Sequence, residues 1–192
     1  MRLHRTLVIL VAAAVVALPL GAGAQQPSTT KPSAAAPAKS GLAAADRKFM
    51  MDAARGGAAE VELGKLAAQR ASSDAVKQLG QRLADDHSKA NEELKNLAQQ
   101  KGVTLPSDLD PKHRQLRDRL AKLSGAGFDR AYVNEMVRDH QKDVSEFKKE
   151  AARAKDPDLK AWADKTLPTL EDHLKQVQQV QAQVKSAPRA AR

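Results

Sequence analysis

Three histidines in this chain follow an acidic residue directly: Asp86-His87, Asp139-His140 and, within Glu171-Asp172-His173, the third. Neutral imidazoles and a carboxylate are the donor set of zinc, iron, copper and manganese sites. The carboxylate is available at Glu60, and Asp143, about one helical turn beyond His140, adds an oxygen that could ligate or orient an imidazole. The candidate metal residues are therefore Glu60, His87, His140, Asp143 and His173. The same groups could equally form a metal-free polar network that fixes helix register. Zero cysteines exclude thiolate ligands and disulfides. The sequence contains no phosphate-cradling glycine loop, nucleophile elbow or zinc-protease motif.

Such residues meet only if helices bring them to one level. At about 100° per residue, Phe49, Ala53, Leu63 and Ala67 lie within about 60° of Glu60, whereas Glu62 points away. Val76, Leu83, Ala90 and Leu94 surround His87 in the same way. Val133, Met136, Val137, Val144 and Phe147 surround His140, and Trp162, Leu170, Val177 and Val180 surround His173. Each candidate thus sits on its helix's apolar stripe. Asp129 and Asp143 also face inward. The acid ahead of each histidine points about 100° away from it. It is ill placed to orient its own imidazole and better placed to serve one on a neighbouring helix.

The spacing predicts four long helices. The first runs over about 43–71, with Gly56-Gly57 as a soft point, and turns at Ser72-Ser73. The second covers about 74–100 and stops at Gly102. Asp110 caps a short helix from Pro111 to near Leu123, on which His113 is expected to be exposed, and Gly125 and Gly127 break the chain after it. The third long helix spans about 128–154. Asp156-Pro157 opens the fourth, which runs to about Val184 with a kink expected at Pro168. Two hairpins joined by a long connection give an all-α, ferritin-like four-helix bundle whose crossover carries a short extra helix. A faint repeat with an offset of 83 residues aligns Arg70-Ala71 with Arg153-Ala154 and Glu60 with Asp143. Counted from the two turns, all four of Glu60, His87, His140 and His173 fall at similar heights, since each residue adds about 1.5 Å.

The ends read differently. Arg2 and Arg5 precede an apolar run to Leu20, and Ala22-Gly23-Ala24 resembles a cleavage site, so residues 1–24 are expected to be a signal peptide. Residues 25–41 are a disordered Pro/Ala/Ser linker, 42–185 the bundle and 186–192 a disordered basic tail. These assignments place the protein in the periplasm or cell envelope, with no integral membrane segment after cleavage. The net charge of +9 does not point to nucleic acid. Arg2, Arg5, Lys31, Lys39, Lys185, Arg189 and Arg192 lie outside residues 42–184, which leaves 25 basic against 23 acidic residues within that span. A second copy of the chain or another envelope protein is the partner class expected.

The motif Gly56-Gly57-Ala58-Ala59-Glu60-Val61-Glu62-Leu63-Gly64-Lys65-Leu66-Ala67 resembles the opening signature of the bacterial domain-of-unknown-function 4142 family. Asp86-His87, the stretch from Ser124 to Tyr132, Asp139-His140 and Thr166-Leu167-Pro168 before His173 continue the resemblance over about 45–179. It implies an exported ferritin-like bundle and no particular activity. Ferritin-like dinuclear centres use Glu-x-x-His, but here Ala84, Val137 and Leu170 stand three residues before the histidines. That departure counts against a diiron oxidase and leaves a mononuclear site, a different metal or no metal open. The functions to weigh are metal binding or handling in the envelope, a non-catalytic interaction or stress-protection bundle, and an oxidoreductase acting on oxygen or peroxide.

Overall fold

The computed structural model describes residues 41–186. The expected signal peptide lies outside them, as does the linker apart from Gly41 and the tail apart from Ser186. Five helices follow in order: α1 Ala44–Arg70, α2 Asp74–Gln100, α3 Pro111–Ala121, α4 Gly125–Arg153 and α5 Pro157–Ser186. The hairpins α1–α2 and α4–α5 pack against each other through α2 with α5 and α1 with α4, and α3 lies against α1 and α4. This is the expected four-helix bundle with a long crossover.

Local chemistry accounts for most boundaries. Asp110 accepts a hydrogen bond from the His113 amide at 2.9 Å, and Pro111 follows it at the first helical position, so α3 starts where expected. Asp156 accepts from the Asp158 and Leu159 amides at 3.1 and 3.0 Å and opens α5. Gly102, at φ 64°, supplies the left-handed residue that stops α2.

One expectation needs correction, and two helices run through their weak points. Gly56-Gly57 does not interrupt α1, because 27 residues of amphipathic helix packed on α2 outweigh two weak positions. Gly127 does not break the chain but lies within the first turn of α4, which begins at Gly125 rather than near Phe128. α5 runs unbroken through Pro168, whose ring faces solvent.

α1 and α2 approach closely at Gly64 and Gly80. A Cβ on Gly80 would stand 2.7 Å from both the Gly64 carbonyl oxygen and the Ala67 methyl, so only glycine fits without parting the helices. Two buried aspartates then tie the hairpins together. Asp129 on α4 accepts from the amides of Ser72 and Ser73 at 3.0 and 2.9 Å and takes the Ser72 hydroxyl as well. Asp46 on α1 accepts from the amides of Lys155 and Asp156 at 2.9 and 2.8 Å. Each hairpin's turn is thus held by the start of the other hairpin's first helix. Asp46 and Asp129 are themselves 83 residues apart, so the repeat is structural.

The core is divided. One apolar cluster gathers Leu63, Leu83, Met136 and Val177 with the Phe128–Tyr132 stack. The other gathers Met50, Leu94, Val144, Leu170 and the Phe147–Trp162 pair. The layer between them is polar.

Asp46→Ala and Asp129→Ala each strand buried backbone amides, a loss of about 2 kcal/mol apiece, and the double variant should show the sum because the two sites lie at opposite ends. Urea denaturation checks this, and a loss below about 0.5 kcal/mol for either variant would refute the tie. Gly80→Ala should cost about 1–3 kcal/mol by overpacking in the same measurement.

Candidate metal centre

Each helix of the bundle inserts one ionisable residue into the polar layer, one or two turns from apolar neighbours on both sides. Glu60, His87, His140 and His173 are 1%, 6%, 0% and 1% exposed, so all four left water on folding. The stripe geometry explains the placement, since each residue shares a helix face with core positions above and below it. Glu62, two residues from Glu60, is exposed.

The three imidazoles form a triangle. Their ring centroids are 5.7 Å (His87 to His140), 5.3 Å (His87 to His173) and 5.4 Å (His140 to His173) apart. One ring nitrogen from each lies within 4.8 Å of the other two. Glu60 closes one side, with Oε2 3.0 Å from His87 Nε2 and Oε1 3.3 Å from His140 Nδ1. Neither contact has hydrogen-bond alignment, and both Glu60 oxygens lack a hydrogen-bond partner among the described residues. Asp143 is not part of the triangle. It lies on the wall of an adjoining cavity of about 300 Å³, into which Glu60 and His87 also open.

The outer nitrogens fix the tautomers. His140 Nδ1 is 3.0 Å from the Met136 carbonyl oxygen and also faces Glu60, so it carries the proton. His173 Nε2 is 3.1 Å from Asp86 Oδ2, again an acceptor, so it too carries the proton. When both rings are neutral, the remaining nitrogens, His140 Nε2 and His173 Nδ1, face each other at 3.4 Å as two lone pairs. Two such acceptors repel unless a cation sits at their meeting point. Asp86 precedes His87 in sequence but serves His173 on α5, the cross-helix role expected from its angle. Asp139 instead lines the cavity, and Asp172 is exposed.

Burial alone would raise the Glu60 carboxyl, but the imidazoles of His87, His140 and His173 together outweigh it and hold Glu60 at about 2. Burial would likewise lower His87, yet the Glu60 charge and contact raise it above the usual imidazole value. His173 goes the other way: burial dominates, the neighbouring imidazoles add to it, and the group falls to about 4 despite Asp86. Asp143 is pushed up to about 8, first by burial and then by the Glu60 and Asp139 charges. Tyr132, fully buried, has its hydroxyl driven far up by burial and by Glu60.

Sequence reasoning misplaced one residue of this region. His113, expected to be exposed, is only 13% exposed, pairs with Asp110 at 3.0 Å and lines the cavity. The Asp110 cap was the available signal, because it turns α3 so that His113, three residues on, faces back toward it.

An all-α bundle of two hairpins and a crossover, with a buried carboxylate–imidazole layer at mid-height, is the class that fold and site define. The chain belongs to the DUF4142 family (Domain of unknown function), whose model matches residues 31–180. None of the curated proteins matches it. Solved structures share the fold at low identity. A DUF305 fragment from Deinococcus radiodurans superimposes with a TM-score of 0.65 at 14% identity, covering 74% of this chain and 98% of that one. A putative secreted DUF305 protein from Streptomyces coelicolor gives 0.64 at 16%, covering 77% and 96%. CopM in its Cu(II)-bound form gives 0.61 at 20%, covering 72% and 96%. No helix among the described residues is long and apolar enough to cross a membrane.

Glu60→Gln removes the charge that raises His87 and should lower that imidazole's pKa, with a smaller effect on His173. Nitrogen-15 NMR titration of the metal-free histidines checks the direction. An unmoved His87 would refute the pairing.

Proposed function

We propose that the protein is a metal-binding bundle of the cell envelope that holds one transition-metal ion on His87, His140 and His173, with Glu60 as neighbouring carboxylate. The observation that carries this reading is the 3.4 Å approach of His140 Nε2 to His173 Nδ1, two lone pairs when both rings are neutral. Nitrogens bound at about 2.1 Å to one tetrahedral ion stand about 3.4 Å from each other, so the separation suits shared ligation. The partners behind the two rings support it as well. Metal-bound histidines donate their other N–H to a carbonyl or carboxylate, as His140 does to Met136 and His173 to Asp86. The Glu60 oxygens, close to His87 and His140 but without an aligned hydrogen bond, fit a further ligand or a counter-charge.

An imidazole-rich set suits copper, zinc, iron or nickel better than magnesium or calcium. Copper is the first choice, because the bundle fold is shared with CopM, which has been crystallised with Cu(II), Cu(I) and Ag bound. The basic, apolar and small-residue segments at the start of the chain support export, and the secreted relative from Streptomyces coelicolor agrees with it. Handling or buffering of an ion, rather than turnover of a substrate, is the role proposed.

A second reading has its own observation. The 3.0 Å Glu60–His87 pair is a buried ion pair without metal and would set helix register in a purely structural or interaction bundle. Elemental analysis of untagged protein separates the two. One equivalent of metal per chain supports ligation, and absence of stoichiometric metal after incubation with Cu(II), Cu(I) and Zn(II) in turn refutes it.

His140→Ala and His173→Ala should abolish stoichiometric binding, and Asp86→Ala should weaken it by about 10–100-fold through loss of the outer hydrogen bond. Competition titration measures both effects. Ligation must displace the proton that the Glu60 charge favours on His87, so binding should release a proton and weaken as pH falls toward and through the usual imidazole range. Affinity independent of pH across that range would remove His87 from the ligand set.

A further inference from the structure

The imidazole triangle has two flanks, and they are built differently. On the α2 and α5 flank, His173 Nε2 is covered by Asp86. Asp86 is bracketed by Arg82 Nε and Lys89 Nζ, each 3.5 Å from it, so a cation approaching there meets two fixed positive charges first. Above and below, the triangle is closed by the two apolar clusters. The remaining flank, between α1 and α4 and beneath the start of α3, holds the cavity of about 300 Å³.

Carboxylates mark the cavity's length. Asp52, Asp110 and Glu146 line it with Asp139 and Asp143, and Glu60 lies among its lining. Glu60 is 1% exposed, and both of its oxygens lack a hydrogen-bond partner among the described residues. Of the basic residues there, Lys48 and Arg55 both pair with Asp52, His113 pairs with Asp110, and Lys142 lies 3.3 Å from Glu146 and 3.8 Å from Asp143, while Lys112 is exposed at the start of α3. Lys142 is 58% exposed, on a long stem.

Gly56 adds an independent observation. It also lines the cavity, and a Cβ there would meet nothing within 4 Å. Neither close packing, as at Gly64 and Gly80, nor a turn requires glycine at this position. A larger side chain at Gly56 would therefore meet only the open space of the cavity.

We infer that this cavity is the uptake passage for the metal ion, with Asp139 and Asp143 as a transit station through which a cation reaches Glu60 and the imidazoles. The inference rests on the metal-binding reading above and adds the route and the residues that set its rate. Above about pH 8, where Asp143 is ionised as well, carboxylates in a low-dielectric cleft concentrate cations and accelerate their arrival, an effect that salt suppresses. The transit carboxylates govern loading speed and leave the final occupancy to the triangle.

Trp162, the only tryptophan, lines the same cavity and reports arrival directly. The experiment mixes metal-free protein with Cu(II) in a stopped-flow instrument, follows quenching of Trp162, and measures bound copper at the end point. With the buffer above about pH 8, where Asp143 is ionised, Asp139→Asn/Asp143→Asn should slow loading by about tenfold at low salt, lose most of the wild-type salt dependence and still finish at one ion per chain. Gly56→Phe, which alters no charge, should also slow loading by obstructing the passage. Wild-type rates in both variants would overturn the passage while leaving the metal site intact. Loss of end-point copper in the double variant would overturn it too, by making the two aspartates ligands. Failure of the wild-type protein to take up copper would bring down the site and the passage together.

Discussion

Four ionisable groups at the centre of a small bundle are the constraint to which the rest of the structure answers. Moving a carboxylate and three imidazoles out of water is costly unless they are paired or bound to a cation. Here the penalty is offset in part: Glu60 and His87 share charge, His140 leans on the Met136 carbonyl, and His173 on Asp86. The offset works only at one helix register. A helix sliding by one residue would carry its polar group about 1.5 Å along and about 100° around, into an apolar cluster or toward solvent. The close approach at Gly64 and Gly80 and the ties made by Asp46 and Asp129 hold that register.

The internal repeat shows where the two halves stop being equivalent. An offset of 83 residues carries Asp46 onto Asp129 and one hairpin turn onto the other, so the frame is duplicated. It carries Glu60 onto Asp143, one carboxylate buried at the triangle and the other on the cavity wall. The histidines do not follow it: His87 maps onto Leu170, His140 onto Gly57 and His173 onto Ala90. The centre is therefore built on a symmetric frame by asymmetric choices. An asymmetric donor set encloses one ion more naturally than two, which agrees with the missing Glu-x-x-His pattern.

The helices, the hairpin turns and the common height of Glu60 and the three histidines were legible in the sequence, because amphipathic period and distance from a turn are both one-dimensional quantities. Asp86 serving His173 was legible as a direction but not as a partner. What one sequence could not give is the depth of side chains whose environment is made by other helices. His113 looked exposed on its own helix and is enclosed because α3 lies against α1 and α4. Gly56-Gly57 looked like a weakness, but one member faces Asn91 across the helix pair and the other opens onto the cavity. Asp46 carried no local signal, since the amides it satisfies belong to a turn more than a hundred residues away.

The crossover shows how a topological need becomes part of the site. A bundle whose second hairpin must begin at the far end requires a connection that travels the length of α2. An unstructured strap would meet that need. The chain instead builds α3 there, starts it with Asp110 and Pro111, and seats it with Leu116 and Leu120 in the upper apolar cluster. Asp110 then has two tasks, since one oxygen caps the helix while the other meets His113 Nδ1 at 3.0 Å. Both residues thereby become part of the cavity lining beside α1 and α4. Without that segment the carboxylates beside Glu60 would face open water, where high dielectric and salt would flatten their field. Enclosure strengthens the field of the ionised Glu60 along one flank of the triangle while burial there holds the Asp143 carboxyl up at about 8, and that flank is the one on which Glu60 is left without a hydrogen-bond partner among the described residues.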